Sequence, residues 1–362
     1  MSGSVEPAPG GPVSLPARMR AVVFEAPGRF ALDEVPVPVP AAGHALVRVE
    51  ASMVCATDRK ILAGQFAGTR FPHVPGHEFS GTVVALGPGS DGPAPGTRVG
   101  VEVHVGCGVC DRCREGLYNL CRNYGRTEMG HAHVGFTIAG GLAEFASVPL
   151  AALHPLPDAV STEDGAWTDN LGVALWALER ARLLAGESVV VVGPGAIGLC
   201  AAQLARASGA GRVTLVGRGE RLAKVARFAD RVVDERDAAS LVGTADVVVE
   251  FAGTGEAAAF AIAAARRGGR VVLGGATGTG VEFPPIDLSM IVRGHLDVLG
   301  SVANPKGVSG RALALLASGS IDVAGLTTHH FPLAQFDEAW ATFTERRDGA
   351  IRVMLNPSRR PE

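Results

Sequence analysis

The stretch that decides the fold is Ser188-Val189-Val190-Val191-Val192-Gly193-Pro194-Gly195-Ala196-Ile197-Gly198. Its continuous apolar run predicts a strand covered on both faces. The glycines follow the pattern G-x-G-x-x-G and open an alanine-rich helical segment, 199–207. Such glycines permit a tight turn and close backbone approach to a pyrophosphate, and the helix N-terminus offers it unpaired N–H groups. We therefore predict cofactor-binding positions at Gly193, Gly195, Ala196, Ile197 and Gly198; the alternative is a glycine-rich connector in another α/β protein.

The chain around this turn alternates strand and helix. Further apolar runs occur at 213–216, 246–249 and 270–273, and a second alanine-rich helical segment lies at 257–265. This alternation predicts a parallel sheet with crossover helices. We expect an α/β unit with a doubly wound parallel sheet over residues 165–305.

A mainly β unit is expected before it. Short stretches at 21–24, 45–49, 81–86 and 98–101 lie between proline and glycine residues and predict strands joined by turns. One more strand is predicted at 350–355 and is expected to return to this unit, so residues 19–164 and 306–357 are assigned to it. Residues 1–18, rich in proline, glycine and serine, are predicted to be a disordered tail.

Composition narrows the class of protein. The chain has 362 residues, enough for two domains, and 47% of them are hydrophobic. The net charge of −3 argues against a nucleic-acid or anionic-membrane partner. Neither an apolar run of about 18 residues nor a secretory signal is visible, so we expect a cytoplasmic protein that acts on a small molecule.

The next strand of the α/β unit indicates which dinucleotide is bound. NAD-binding folds usually carry an acidic residue at its end, where it holds the ribose 2′-hydroxyl. That position is Gly217 here, followed by Arg218 and, close behind, Arg221. A glycine followed by arginine admits a 2′-phosphate and pairs with it. NADP is therefore preferred over NAD; the alternative is that Arg218 stacks on adenine or faces solvent.

Four of the six cysteines are crowded into one segment and predict a metal site. They are Cys107, Cys110, Cys113 and Cys121. Four thiolates form a closed tetrahedral zinc site with no position open to substrate, which is typical of structural zinc. A disulfide framework is the alternative, but it is expected in secreted, usually smaller proteins.

A second group of candidate ligands is dispersed along the chain. It consists of Cys55, His77, Glu78 and Asp169. Mixed sulfur, nitrogen and oxygen ligands from separate elements, with room for water, are typical of a catalytic zinc. Each residue alone is more often part of a core than a ligand, so the prediction depends on their combination.

In its motifs the chain resembles the zinc-dependent medium-chain dehydrogenase family, in the polyol/threonine dehydrogenase branch. The motifs occur in the order of that family: Cys55-Ala56-Thr57-Asp58, Gly76-His77-Glu78-Phe79-Ser80-Gly81, the four cysteines and the glycine turn. The resemblance covers nearly the whole chain after residue 18. It implies a GroES-like β-rich catalytic domain, a Rossmann domain, a cleft between them, and a homo-oligomer that is a dimer or a tetramer.

The resemblance also implies how the dispersed ligands are used. Cys55 and His77 are implied as ligands of the catalytic zinc. Asp169 lies where this branch usually has a carboxylate ligand or a water-bridged carboxylate. Glu78 is implied as an acid that enters the zinc shell or supports it.

A path for the substrate proton is implied only in part. Thr57 resembles the hydroxyl that takes this proton, and Asp58 resembles a partner of a metal ligand. Lys60 stands where the family often has a histidine that completes the relay. A charged lysine has no acceptor, so Lys60 relays a proton only if its pKa is lowered; contact with cofactor or substrate, or a solvated position, are the alternatives.

These predictions combine into a zinc- and NAD(P)-dependent oxidoreductase that transfers a hydride to or from a secondary alcohol or ketone. We expect the substrate to be a polyol, cyclitol or aminocyclitol, since the polar segment 124–133 offers groups that can hydrogen-bond the hydroxyls of such a substrate. Its two histidines, His131 and His133, have a simpler interpretation as loop hydrogen-bonders, favoured for His133. His104 and Trp167 are expected near the cleft.

Two other activities remain open at this stage. Arg59, Lys60 and Arg70 would suit a phosphorylated sugar alcohol, although most surface arginines are merely solvated. An epimerase or lyase on the same zinc and nicotinamide scaffold would use the cofactor only transiently, without net turnover.

Overall fold

The structure is a computed structural model that describes residues 15–66, 68–219, 221–275 and 284–358. The predicted tail, 1–18, lies mostly outside the described residues. Its last residue, Arg18, is instead the first residue of a strand and pairs with Pro36. The first strand therefore begins inside the segment that was predicted to be disordered.

The N-terminal part of the chain forms strands and short helices. The strands are β1 (Arg18–Ala26), β2 (Arg29–Pro36), β3 (His44–Met53), β4 (Phe79–Leu86), β5 (Arg98–Val101), β6 (His104–Val105), β7 (Ala132–His133), β8 (Phe145–Pro149) and β9 (Leu153–Pro155). The helices are α1 (Ala56–Leu62), α2 (Asp111–Arg114) and α3 (Thr162–Gly165).

The rest of the chain alternates helix and strand and then returns to the first part. In order, its elements are α4 (Thr168–Arg180), β10 (Ser188–Val192), α5 (Ala196–Ala207), β11 (Arg212–Gly217), α6 (Arg221–Lys224), β12 (Arg231–Asp234), β13 (Ala245–Glu250), α7 (Gly255–Ala264), β14 (Ala265–Leu273), α8 (Ser289–Gly294) and β15 (Asp297–Gly300). The C-terminal elements are α9 (Val308–Ala317), β16 (Thr327–Pro332), α10 (Phe336–Glu345) and β17 (Arg352–Asn356).

The α/β part contains a parallel sheet of the doubly wound kind. Its strand order is β12-β11-β10-β13-β14-β15, and every neighbouring pair is parallel. This is the order of the Rossmann fold, in which the cofactor binds where the strand order reverses, beside the first strand. The valines of β10 alternate between two hydrophobic clusters, with Val189 and Val191 in one and Val190 and Val192 in the other. Burial on both faces explains the continuous apolar run.

The β-rich part contains a seven-stranded sheet that joins strands from the first half of the chain to the C-terminal strands β16 and β17, while β1 and β2 form a separate two-stranded sheet. Its strands run in the order β16-β17-β3-β4-β5-β9, with β8 paired to β3. The C-terminal strand β17 lies antiparallel to β3, with Met354 opposite Met53. Helix α4 follows this part and packs on α5 and α9, so the two parts share a continuous core. In the described ranges no helix combines the length and the apolar character needed to cross a membrane.

The glycines of the turn after β10 have separate roles. Gly193 has φ +103°, a conformation that favours glycine, and a Cβ there would lie 2.7 Å from the Ala252 nitrogen. A Cβ on Gly198 would lie 2.0 Å from the Gly193 carbonyl oxygen, whereas one on Gly195 would have no atom within 4 Å. The first and third glycines therefore let helix α5 approach the sheet, and the second leaves open space above it.

This difference predicts that two alanine substitutions in the turn affect stability unequally. Gly198→Ala should lower the free energy of unfolding by about 1–3 kcal/mol, because the methyl group overlaps a backbone oxygen. Gly195→Ala, the matched control at the start of the same helix, should stay within about 0.5 kcal/mol of the wild type. Urea unfolding followed by circular dichroism measures both, and equal stability of the two variants would contradict this role for Gly198.

Candidate active site

The start of helix α1 fixes the first two residues of the site. Cys55 is the N-cap of α1, and its backbone N–H donates to Asp58 Oδ2 at 2.8 Å. This bond is half of a capping box, which stabilises the first helical turn. Asp58 is fully buried. The local helix start therefore carries the Cys55 thiol and holds a buried carboxylate one turn away from it.

His77 is placed by the glycine that precedes strand β4. Gly76 has φ +97°, and a Cβ there would lie 2.5 Å from the Leu142 backbone nitrogen. The close approach that only glycine allows brings His77 against α1, where its Nδ1 lies 3.3 Å from Asp58 Oδ1. Nδ1 is thus directed at the carboxylate, which leaves Nε2 for a metal.

Cys55, His77 and Glu78 converge as a metal site requires. Their sulfur, nitrogen and oxygen atoms all lie within 4.8 Å of one another, and His77 Nε2 lies 3.8 Å from Glu78 Oε1. Burial alone would lower the pKa of His77, but the Asp58 carboxylate and the Cys55 thiol raise it well above the usual value. The surroundings therefore attract a positive charge to this point, which a bound metal ion would supply in place of the proton.

A buried ion pair holds Glu78 from the side away from His77. Arg352, on β17, pairs with Glu78 Oε2 and also donates to the Val54 carbonyl oxygen at 3.1 Å. Asn170, on α4, donates to Glu78 Oε1 at 2.8 Å and accepts from Arg352 at 3.1 Å. Burial would raise the pKa of Glu78, but Arg352 and His77 lower it below its usual value. Glu78 is therefore ionised, and both of its oxygens are oriented.

Arg352 and Asn170 were not predicted as site residues. The signal for Arg352 was present, because it is the one charged residue within the apolar stretch 350–355. A charge inside an otherwise apolar strand indicates a buried partner. Asn170 follows Asp169 directly, but nothing in its sequence context distinguishes it.

Asp169 lies beside the three convergent ligands without joining them. It is the second residue of α4 and is buried, and its Oδ1 has no hydrogen-bond partner within the described residues. Burial, with further contributions from Glu78 and Glu102, raises its pKa to about 7, against an opposing effect of His77. Its carboxyl group can therefore hold or release a proton near neutral pH. Its predicted role as a zinc ligand stays a prediction.

The residues predicted for the proton path lie on α1. Thr57 is half-buried in the first turn, two residues after Cys55. Lys60 is half-buried in the last turn of the same helix. The position of Thr57 suits a hydroxyl beside the metal ligands, and the role of Lys60 stays a prediction.

The four remaining candidate ligands form a separate lobe. Cys107, Cys110, Cys113 and Cys121 bring their sulfurs within 4.8 Å of one another, and all are free thiols. The sulfurs of Cys107 and Cys113 are 3.9 Å apart, close to the spacing of about 3.8 Å that tetrahedral zinc–thiolate bonds of about 2.3 Å produce. The donor set therefore fits zinc.

The predicted cofactor positions lie at the C-terminal ends of β10 and β11. Gly195 is the N-cap of α5, and Ala196, Ile197 and Gly198 form its first turn. Gly217 ends β11, and a Cβ there would lie 2.4 Å from Pro194 Cγ. A side chain at Gly217 would therefore collide with the glycine turn.

The two arginines after β11 differ in what the structure describes. The Arg218 side chain is 73% exposed and lies 3.7 Å from Glu235. Arg221 is the first residue of α6, but its side chain lies outside the described part of the structure. An exposed pair of this length contributes little to stability, which leaves the Arg218 guanidinium available to a ligand.

Comparisons with known proteins agree with this architecture. Residues 41–158 match the alcohol dehydrogenase GroES-like domain, and residues 196–318 match the zinc-binding dehydrogenase domain. A Mycobacterium tuberculosis protein described as an alcohol dehydrogenase is 36% identical, covering 94% of this chain and 99% of its own. The chain therefore belongs to the zinc-dependent medium-chain dehydrogenase family. It is an alcohol dehydrogenase that uses zinc and a nicotinamide cofactor.

Other relatives share the whole fold. The erythritol/L-threitol dehydrogenase of Mycolicibacterium smegmatis is 31% identical, covering 95% of this chain and 99% of its own. A crystal structure of a Sinorhizobium meliloti protein, described as a zinc-binding dehydrogenase bound to NADP, superposes with a TM-score of 0.87 at 31% identity, covering 94% and 100% of the two chains. The GroES-like and Rossmann architecture expected from the motifs is confirmed.

The contact between Asp58 and His77 predicts a specific loss of metal affinity. Asp58→Asn keeps an oxygen that can cap α1 but removes the charge that faces His77 Nδ1. Metal affinity at this site should fall about 10–100-fold, as is typical when such a partner of a ligand is replaced.

Metal release to a chelator, followed by atomic absorption, measures this affinity. Asp33→Asn, an exposed carboxylate on β2, serves as the control and should release metal like the wild type. Wild-type release by Asp58→Asn would show that Asp58 does not position the ligand.

Proposed function

We propose that this enzyme is a zinc- and NADP-dependent dehydrogenase of polyhydroxylated secondary alcohols. The observation that carries the proposal is the convergence of Cys55, His77 and Glu78 beside α4, the helix that leads from the β-rich part into the nucleotide-binding sheet. Similarity to the sorbitol dehydrogenase of Bacillus subtilis, 28% identical with 96% and 99% of the two chains covered, and to the erythritol/L-threitol dehydrogenase supports a polyol substrate.

The three convergent side chains would hold the catalytic zinc. Cys55 and His77 supply one soft and one borderline ligand, and Glu78 Oε1 supplies an oxygen, a donor set that suits a catalytic site. Asp169 would contact the remaining position through water, because its free oxygen lies outside the convergent group. When bound, zinc polarises the substrate oxygen, and the nicotinamide accepts or supplies the hydride.

The protein's own residues position the reactants and handle the proton. Asp58 fixes the ring of His77, and the pair of Arg352 and Glu78 fixes the carboxylate. The Thr57 hydroxyl would accept the proton of the substrate hydroxyl during oxidation while it passes its own proton on to water, and the same transfer would run in reverse during reduction. Asp169, whose carboxyl pKa burial raises to about 7, could hold or release a proton beside His77 and Glu78.

NADP is preferred because the end of β11 lacks a carboxylate and carries an exposed arginine. Pro194 excludes a side chain at Gly217, where an acidic residue would bind the ribose 2′-hydroxyl of NAD and repel a phosphate. Among the described residues, the contact given for the exposed Arg218 guanidinium is a long one to Glu235, so this group could turn to pair with a 2′-phosphate. The NADP-bound relative from Sinorhizobium meliloti supports this assignment.

A second zinc ion would be held by the four-cysteine lobe and would be structural. The lobe touches the chain after β15, since Asn119 donates to the Val302 carbonyl oxygen at 2.8 Å and the Lys306 N–H donates to the Gly116 carbonyl oxygen at 3.1 Å. A metal that orders the lobe would preserve these contacts. Free thiols of this kind suit a reducing, cytoplasmic compartment.

We also propose that two copies associate through the edge of the Rossmann sheet. Strand β15 is the last strand of that sheet, so its outer edge is unpaired within the described residues of the single chain. Leu288 and Val292, beside and within the neighbouring helix α8, are 67% and 77% exposed. An open strand edge next to exposed apolar side chains suits pairing with a second copy; a dimer formed in this way can also be half of a tetramer.

The zinc proposal predicts that one substitution separates the two metal sites. His77→Ala should abolish oxidation of any alcohol while the metal content falls from two ions per chain to one, because the four cysteines are untouched. His330→Ala, an exposed histidine on β16, is the control and should keep both ions and full activity. Metal analysis measures the zinc content, and NADPH absorbance measures the activity. An active His77→Ala enzyme would contradict the proposed mechanism.

The cofactor proposal predicts a selective effect of Arg218→Ala. The KM for NADP should rise about 10–100-fold, because the variant loses a charge-assisted hydrogen bond to the 2′-phosphate, and such bonds contribute about 1.5–3 kcal/mol. The KM for NAD, which has no 2′-phosphate, should change less than about threefold. Arg212→Ala, at the opposite end of the same strand, should leave both values unchanged. Equal changes for the two cofactors would show that Arg218 does not bind the 2′-phosphate.

A further inference from the structure

A row of buried rings leads away from His77. The His77 ring lies 5.0 Å from Phe136, Phe136 stacks on His133 at 3.6 Å, and His133 stacks on His104 at 3.9 Å, each distance joining ring centroids. The two-stranded ribbon of β6 and β7 creates the last contact, because it places His104 directly opposite His133. His131 meets His104 edge-on at 5.6 Å.

Several nitrogens in this row lack partners although they are buried. His104 is 5% exposed and His131 is 1% exposed. Within the described part of the chain, neither ring nitrogen of His104 has a hydrogen-bond partner, and neither has Nε2 of His131. Buried polar groups are nearly always hydrogen-bonded, so unpaired ones indicate a missing ligand or water.

The rest of the cluster fixes these rings in place. The Tyr124 hydroxyl hydrogen-bonds His133 Nδ1 at 2.6 Å, and the Gly125 backbone N–H donates to His131 Nδ1 at 3.1 Å. His131 is therefore held with Nε2 unpaired, and His104 is held by stacking with both nitrogens unpaired. Such rigid support is what a binding site needs.

The cluster lies beside the proposed catalytic zinc. The backbone N–H of Val103, immediately before His104, lowers the pKa of the Asp169 carboxyl by stabilising its ionised form, so the two residues are close together. Asp169 in turn interacts electrostatically with His77 and Glu78. A substrate whose reacting oxygen sits near Cys55 and His77 would have to extend along the row of rings to bring its more distant atoms to His104 and His131.

The rings are uncharged, which determines the chemistry they can recognise. Burial, with a contribution from His131, lowers the pKa of His104 to about 3. Burial also lowers the pKa of His131 and raises that of Tyr124 to about 12. A neutral imidazole offers one donor and one acceptor, which matches the donor and acceptor of a hydroxyl group and offers no charge to a phosphate.

Metal binding fits these rings less well than hydroxyl binding. The ligand atoms of the two metal groups described above converge within 4.8 Å, but no such group in the described ranges includes His104, His131 or His133. The free nitrogens are therefore spread along a surface rather than gathered around one point.

We propose that His104 and His131, supported by His133 and Tyr124, form the subsite that hydrogen-bonds substrate hydroxyls away from the carbon that is oxidised. The subsite rests on the proposed dehydrogenase function and identifies what the substrate must carry: further, uncharged hydroxyl groups along its carbon skeleton. His104 and His131 are thus specificity-determining residues, and the interpretation of His131 as a simple loop hydrogen-bonder is set aside.

Pairs of substrates with the same carbon skeleton test the subsite. Erythritol is compared with 2-butanol, and myo-inositol with cyclohexanol, with NADP as oxidant. In the wild type, kcat/KM should be higher for the polyol of at least one pair. Activity on 2-butanol or cyclohexanol alone would overturn the subsite but keep the dehydrogenase function, whereas activity on none of the four would overturn that function and the subsite with it.

Substitutions of the two histidines then test whether they cause the preference for polyols. His104→Leu and His131→Leu should each lower kcat/KM for the polyol about 10–100-fold, chiefly through KM, and change that for the matched alcohol less than about threefold. His104→Gln, which keeps a donor and an acceptor, should recover most of the polyol activity. His44→Gln, a histidine at the start of β3, should behave as the wild type.

Two results would overturn the assignment. Parallel losses for polyol and matched alcohol in both leucine variants would show that the rings serve folding or the metal site. Unchanged polyol kinetics would show that the hydroxyls are bound elsewhere. If His104→Leu does not fold, His131→Leu and His104→Gln decide by the same comparison.

Discussion

The buried ion pair between Arg352 and Glu78 joins the parts of this molecule that must act together. Arg352 comes from the last strand, Glu78 from the edge of β4 beside His77, and Asn170 from the helix that leads into the Rossmann sheet. The guanidinium also lies 5.6 Å from the Trp167 ring. Removing one partner of such a pair typically costs about 3–5 kcal/mol because the other charge is left buried and unpaired. The C-terminal strand, the candidate metal ligands and the nucleotide-binding half are thereby held in one arrangement.

Charge at the centre of the enzyme is set by this arrangement. Arg352 keeps Glu78 ionised, and the negative surroundings of His77 raise its pKa well above the usual value, so the site attracts a cation. The cluster around His104 carries no such charge, because burial lowers the pKa of His104 and keeps its ring neutral. The charged residues proposed to bind the metal are therefore joined through the rings of Phe136 and His133 to an uncharged cluster. This arrangement suits the proposed binding of the reacting oxygen at the metal and of neutral hydroxyls at the cluster.

The sequence predicted those elements whose structure depends on residues close together in the chain. The valines of β10 and the glycines after it predicted the parallel sheet. A strand buried on both faces requires a continuous apolar run, and a tight turn requires glycine, so both features can be recognised in the sequence. The cysteine spacing predicted the lobe in the same way. The ion pair of Arg352 was not predicted, since its partners lie 274 and 182 residues away. The unpaired nitrogens of His104 were also beyond prediction, because they depend on how two short strands pair and stack.

Cys55, His77 and Glu78 are proposed to bind the zinc at which alcohols are oxidised. Anomalous diffraction from crystals of the protein with NADP, recorded on both sides of the zinc absorption edge, tests this proposal most directly. We expect one zinc peak between these three side chains and another among the four cysteines. A peak in the cysteine lobe alone, from crystals of protein that still oxidises alcohols, would contradict it.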